Sequence, residues 1–360
     1  MLAQLLADQI RRDGPMTFHE WMQAALYHPE FGYYCRTDLN RWGREGDYRT
    51  SPETSPLFAA TFARYFLKLY RKDEPRDGLT IVEVGAGSGH FAQGLLETLK
   101  RSSADVFEQT TYLIDEISRH TSEQIVKRLS RFRDQVRFGP VSVLHQINWG
   151  IVFANELLDA MPVHRIAMQN GKLTELYVKL RQDDSFCWHN GPLSTPRLNA
   201  YLERFNIELS DGQIVDINLQ IEDWLSSIAA RLVRGYLVIV DYGSESEELY
   251  SNPKREHGTL RAFKRHRFVD DLLSSPGEQD LTSTVDWNAV KQIGNELGFE
   301  LREFKRLDEF LLEAGFLEEL EKRANEAHDE GEKLQLRATA REMILPGRMA
   351  ERFQVLVMKK

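Results

Sequence analysis

Three glycines at alternate positions, Gly85, Gly87 and Gly89, follow an acid, Glu83. They lie between the apolar run Ile81-Val82 with Val84 and the helically spaced Phe91, Leu95 and Leu96. A strand that turns on glycine into a helix brings its backbone close to a ligand. A dinucleotide fingerprint needs G-x-G-x-x-G, and Gly85-Ala86-Gly87-Ser88-Gly89-His90 places the third glycine one position early. A phosphate loop needs a Gly-Lys-Ser/Thr triplet, which does not follow. A nucleophile elbow around Ser88 needs glycines where Ala86 and His90 stand. What is left is E-x-G-x-G-x-G. A carboxylate two residues before the first glycine is unhelpful to a pyrophosphate and suits a ligand carrying an ammonium group and hydroxyls. S-adenosylmethionine (SAM), with its amino-acid tail, sulfonium and nucleoside, is such a ligand.

Two further strand ends add to this. Tyr112-Leu113-Ile114 runs into Asp115-Glu116-Ile117, an acid at a carboxyl end where ribose hydroxyls would lie. The next strand, beginning at Gly150, ends in Asn155-Glu156, with Asp159 three residues on. The cofactor site is therefore expected at Glu83, Gly85, Ala86, Gly87, Gly89, Glu116, Ile117 and Asn155. Asn155, Glu156 and Asp159 are the catalytic candidates. Asp159 has a second reading, as a residue favouring a helix N-terminus if a helix begins there.

The elements that position these residues alternate. From residue 79 onward strands IVEV, TYLIDEI and GIVFANEL are separated by helical patterns near 88–101 and 119–131, and YLVIVDYG supplies another buried strand. Such alternation predicts an α/β fold, a parallel sheet covered by helices. Residues 1–78 read as an N-terminal helical region with a long loop. Residues 79–360 read as the core, with insertions at about 166–217 and 251–284. The first insertion carries the hairpin signals Asn170-Gly171, Asp183-Asp184 and Asp211-Gly212. Near the start, Thr17 with Glu20 three residues later predicts a capping box, and Pro56 to Tyr70 a helix. Charged helices are expected at roughly 307–343, then a final strand in RFQVLVMKK.

Composition limits the partners. The 360 residues carry a net charge of −9, which argues against a broad nucleic-acid surface. No apolar run approaches the roughly 20 residues of a membrane span. Cys35 and Cys187 cannot build a disulfide framework, and no His-x-x-x-His or cysteine pair accompanies His28, His164, His257 or His266, so no metal is expected. Asp8 and Asp13 suit neither a signal peptide nor an acid-poor transit peptide, so a cytoplasmic protein is expected.

Nearly the whole chain resembles the MidA-like family of SAM-dependent methyltransferases, which includes the mitochondrial complex I assembly factor that methylates a protein arginine. The resemblance lies in GPMTFHEWMQAALYHPEFGYY (14–34), GREGDYRTSPETSPLF (43–58), EVGAGSGHF, NELLDAMPVHR (155–165), VDYG (240–243), GTLRAFKRHR (258–267), PGEQDLTSTVDW (276–287) and GRMAERFQVLV (347–357). It implies a class I, Rossmann-like methyltransferase with an N-terminal helical lid. It also implies a loop that folds over the cofactor and adds Gly46, Asp47, Thr50, Ser51 and Pro52 to the binding set. The acceptor it implies is an arginine of a protein, with a respiratory-complex subunit as the candidate. Glu156 and Asp159 would orient the guanidinium and accept its proton, with Asp47 and Glu53 next in line. A small-molecule O- or N-methyltransferase and a SAM-binding assembly factor without catalysis stand as alternatives. A homodimer is compatible with all three.

Overall fold

The computed structural model describes residues 1–39, 55–75, 78–265, 267–345, 347 and 349–360. The chain divides into two compact units, each assembled from three separate segments. Among the described residues sixteen strands follow one another, numbered here in chain order.

The second unit comprises Arg41–Leu157, Ser226–Tyr242 and Gly294–Lys360. It contains β2 (Thr80–Val84), β3 (Thr111–Asp115), β4 (Val136–Phe138), β5 (Gly150–Asn155), most of β10 (Gly235–Ser244), β15 (Glu300–Arg306) and β16 (Phe353–Lys359). They form one sheet in the order β15-β16-β10-β5-β2-β3-β4. From β10 to β4 all neighbours are parallel; β16 and β15 complete the edge antiparallel. The buried strands are apolar on both faces, as a sheet covered on both sides requires. The chain builds outward from β2 through β3 to β4, then returns to the other side of β2 with β5. The order therefore reverses between β2 and β5, and ligands of open parallel sheets bind beside the carboxyl ends at such a reversal.

Two helices are fixed against this sheet by aromatic packing. The helix Pro56–Asp73 has Ser55 as its cap, the hydroxyl accepting from the Leu57 amide at 3.2 Å, and proline in its first turn. Its Phe62 ring lies 5.2 Å from Phe153 of β5, and Phe91 of the helix His90–Ser102 stacks on Phe153 at 4.2 Å. The two helices touch at Gly94, where an added Cβ would come within 2.8 Å of Ala59. Burying each such ring is worth about 1.5–3 kcal/mol, so the strand that ends in Asn155 is anchored from behind.

The first unit comprises Met1–Asn40, Leu158–Leu225 and Gly243–Ile293. Its main sheet joins β1 (Met16–Thr17), β6 (His164–Gln169), β7 (Lys172–Leu180), β8 (Phe186–Gly191) and β9 (Ile214–Ile217), all antiparallel. Hairpin turns join β6 to β7 at Asn170-Gly171, both at positive φ, 50° and 70°, and β7 to β8 at Asp183-Asp184. Asp211-Gly212 lies between a helix and β9 and is not a hairpin turn. The capping box is present too. Glu20 accepts from the Thr17 amide at 2.9 Å, and Thr17 Oγ1 accepts from the Glu20 amide at 3.1 Å. The polar segment after residue 251 contains a small sheet of β11 (Arg261–Lys264), β12 (Arg267–Val269) and β13 (Asp280–Thr282). The last two residues of β10 pair with β14 (Val285–Asp286).

Candidate functional site

The glycine turn leaves β2 with three left-handed residues, Gly85, Gly87 and Gly89, at φ 71°, 53° and 75°. A side chain at Gly85 would also place its Cβ 3.0 Å from Leu157 Cδ1. The Gly85 amide donates to the Asp115 carbonyl at the end of β3, 2.8 Å, and the Gly89 amide to Ala86 at 3.0 Å. The helix His90–Ser102 then begins without a side-chain cap, which leaves its first amides turned toward the turn.

Glu116 closes this turn from β3. Its carboxylate accepts from the Gly87 amide at 3.2 Å and from the Ser118 amide at 2.9 Å. The turn and the acid, separate signals in the sequence, are thus one structure. Ile117 beside it is 63% exposed. Glu83 sits deeper, fully enclosed in the strand. The Tyr112 hydroxyl of β3 donates to its Oε2 at 2.8 Å. Burial pushes the Glu83 carboxyl up to about 8; the Tyr112 hydrogen bond pulls it back and the nearby Glu116 adds to the rise. Asp115, the companion acid, accepts from the Val141 amide at 2.7 Å, and its burial raises its pKa.

Across the reversal point, β5 ends in Asn155 and Glu156. Asn155 Nδ2 donates to Glu156 Oε1 at 3.1 Å, while the buried Asn155 Oδ1 has no partner among the described residues. Glu156 adopts φ 51°, a left-handed conformation unusual for a residue with a side chain. Backbone amides on both sides of its carbonyl are held by β10: Glu156 N–H donates to Val240 O at 2.9 Å and Leu157 N–H to Asp241 Oδ2 at 3.2 Å. No sequence argument singled out Asp241 or Tyr112, although the VDYG segment contained the first and strand β3 the second.

Asp159 belongs to the first unit and is buried. No helix begins after Asn155: the chain passes through a turn at Asp159–Ala160 and enters β6 at His164. This corrects the reading of Asp159 as a helix-terminal residue. Side chains and backbone from distant segments fix the turn. Asn218 Nδ2 donates to Leu158 O at 3.2 Å, the Ser283 amide to Asp159 O at 2.8 Å and the Tyr27 hydroxyl to Ala160 O at 3.0 Å. Gly46, Asp47, Thr50, Ser51, Pro52 and Glu53 lie outside the described residues.

A family model described as "Putative S-adenosyl-L-methionine-dependent methyltransferase" matches residues 61–305. The chain belongs to this family. It is 28% identical to the Drosophila melanogaster "Protein arginine methyltransferase NDUFAF7 homolog, mitochondrial", over 82% of this chain and 70% of that one. The Homo sapiens protein arginine methyltransferase NDUFAF7 is 24% identical over 96% and 80%. A Burkholderia thailandensis protein crystallised with S-adenosyl-homocysteine superposes with a TM-score of 0.86 at 28% identity, covering 100% of this chain and 92% of that one. The fold is that of a Rossmann-like, SAM-dependent methyltransferase, and SAM is its cofactor. The expectation of a cytoplasmic protein is overturned by the animal relatives, the Drosophila melanogaster and Homo sapiens proteins among them, which are named as mitochondrial. Among the described residues no helix is long and apolar enough to cross a membrane.

The residues present fit the cofactor. Gly85 and Gly87 of the turn are not buried, the helix start offers amides to a carboxylate, and Asn155 Oδ1 is a buried acceptor without a donor among the described residues.

Proposed function

We propose that this methyltransferase modifies an arginine side chain of a protein, with the cofactor held by Glu83, Gly85, Ala86, Gly87, Gly89, Glu116, Ile117 and Asn155. The observation that carries the reading is Glu156: a carboxylate at the carboxyl end of β5, beside the sheet reversal, on strained backbone tied down by β10. Strain of this kind costs of order 1–3 kcal/mol and persists where the surroundings over-determine it, as they do at functional sites. The names of the relatives agree with it.

When bound, SAM supplies an electrophilic methyl group whose transfer is an in-line displacement. The work of the chain is then alignment and charge. Glu156 Oε1 receives Asn155 Nδ2, and a carboxylate can pair with a guanidinium through parallel hydrogen bonds. An arginine keeps its proton at neutral pH, so its loss must accompany transfer; Glu156 would receive it.

Mass spectrometry of the proteome with and without this gene tests the proposal. Arginine peptides that lose one or two methyl masses in the deletion strain are expected. Loss confined to metabolites or to other side chains would refute it. Two finer readings accompany it, a respiratory-complex subunit as acceptor and a homodimeric enzyme. The identity of those peptides checks the first, sedimentation the second.

A further inference from the structure

The VDYG segment supplies the most tightly organised group near β5 to which no role has yet been given. Asp241 lies at the carboxyl end of β10 and is fully buried. Each of its two oxygens takes a backbone amide. Oδ1 accepts from the Tyr242 amide at 2.8 Å and Oδ2 from the Leu157 amide at 3.2 Å. The residue before it, Val240, accepts the Glu156 amide at 2.9 Å through its carbonyl. Val240 also pairs in register with Asn155. One strand end therefore grips the main chain at both amides that flank the Glu156 Cα and its carbonyl. The φ of 51° at Glu156 is unfavourable for any residue with a Cβ, so it requires an external hold, and these two hydrogen bonds provide one.

We infer that Asp241 is a positioning residue for methyl transfer, acting through the Leu157 amide to hold Glu156 in its left-handed conformation. This rests on the assignment of Glu156 to the acceptor. A carboxylate suits the task because it is acceptor-only and can take both amides at once. Asparagine, of the same shape, would turn an NH2 toward one of them. A hydrogen bond to a charged group inside a protein is stronger than a neutral one, so the substitution should release Leu157 and let the Glu156 backbone relax.

The test uses the full chain in three forms, Asp241→Asn, Glu156→Gln and the double variant, with two readouts. The first is hydrogen exchange at the Leu157 amide. The second is tritium transfer from labelled SAM to an extract of the deletion strain, with SAM affinity by calorimetry as a folding control. Asp241→Asn should speed exchange at Leu157 at least tenfold while the amides of β2 and β5 stay protected. It should lower transfer roughly ten- to hundredfold, with SAM affinity changed less than threefold. The double variant should be no slower than the slower single one, because both act at one group. Full transfer by Asp241→Asn, or losses that multiply in the double variant, would overturn the inference. Full transfer by Glu156→Gln would instead remove the assignment of Glu156 on which it stands. Loss of SAM binding together with protection throughout β2 and β5 would make Asp241 a fold residue and end the positioning role.

Discussion

Replacing Glu156 by glycine should leave the stability of this protein nearly unchanged while abolishing its reaction. At φ 51° a residue with a Cβ pays roughly 1–2 kcal/mol relative to right-handed backbone, and glycine does not. Against that gain stand two losses. Glycine gives up about 0.5–1 kcal/mol more chain entropy on folding. The contact from Asn155 Nδ2 to Glu156 Oε1, 3.1 Å and only partly buried, is worth about 0.5–1.5 kcal/mol. The sum lies between about −1.5 and +1 kcal/mol, small beside the 2 kcal/mol or more usual for deleting a buried side chain. Urea unfolding followed by tryptophan fluorescence would measure it. Glu156→Gln keeps both the strain and the shape, so its stability should match the parent within about 0.5 kcal/mol. Transfer in the same variant should fall by about 2–4 kcal/mol of transition-state stabilisation, the range for loss of one preorganised polar contact. Tritium incorporation from labelled SAM reads that loss. A glycine variant destabilised by more than about 2 kcal/mol would show that the carboxylate is a structural brace. Normal transfer in either variant would refute the acceptor role.

Gly87→Val should weaken SAM at least tenfold in calorimetry, because a β-branched residue resists φ 53° and would shift the amide that Glu116 receives. Glu83, with its carboxyl pushed up to about 8 by burial, makes the native state the stronger proton binder above its ordinary value. Its contribution is complete below about 4.5, declines as pH rises and is lost through about 8. Glu83→Gln, neutral throughout, should flatten that part of a denaturation profile, and an unchanged slope would place the titration elsewhere. SAM binding near neutral pH should release a proton if the cofactor's ammonium draws Glu83 into its ionised form; calorimetry in buffers of different ionisation enthalpy would detect it. Tyr112→Phe removes a hydroxyl given to Glu83 and should cost about 1–3 kcal/mol.

The turn at Gly85–Gly89 was legible because its constraints are local: three left-handed positions in five residues demand glycine, and a strand and helix must flank them. The same holds for Thr17 with Glu20 and for the turn at Asn170-Gly171. What the sequence hid depends on partners far along the chain. Glu83 reads as a ligand-facing acid, and only the pairing of β2 with β3 shows Tyr112 beside it. The second reading of Asp159, as a helix-terminal residue, fails because the Ser283 amide and the Tyr27 hydroxyl hold a turn there. Strand β15, ELREFKR, is charged at alternate and adjacent positions because it is the sheet's edge, where charge discourages further pairing. Its pattern resembles a surface helix as much as a strand.

The place of β16 has a consequence for synthesis. This strand, Phe353–Lys359, enters the sheet between β10 and β15 and pairs with β10 from Tyr236 to Tyr242. Everything from Glu245 to Arg352 is translated while that flank of β10 stands open. Until Lys359 clears the ribosome, the nascent sheet ends on an apolar strand, Leu237-Val238-Ile239-Val240, with its backbone donors and acceptors unspent. Over the last third of its own production the polypeptide therefore carries a sticky border, which makes it a natural client for a holding chaperone. A stop codon that removes only the last strand would lock it in that state.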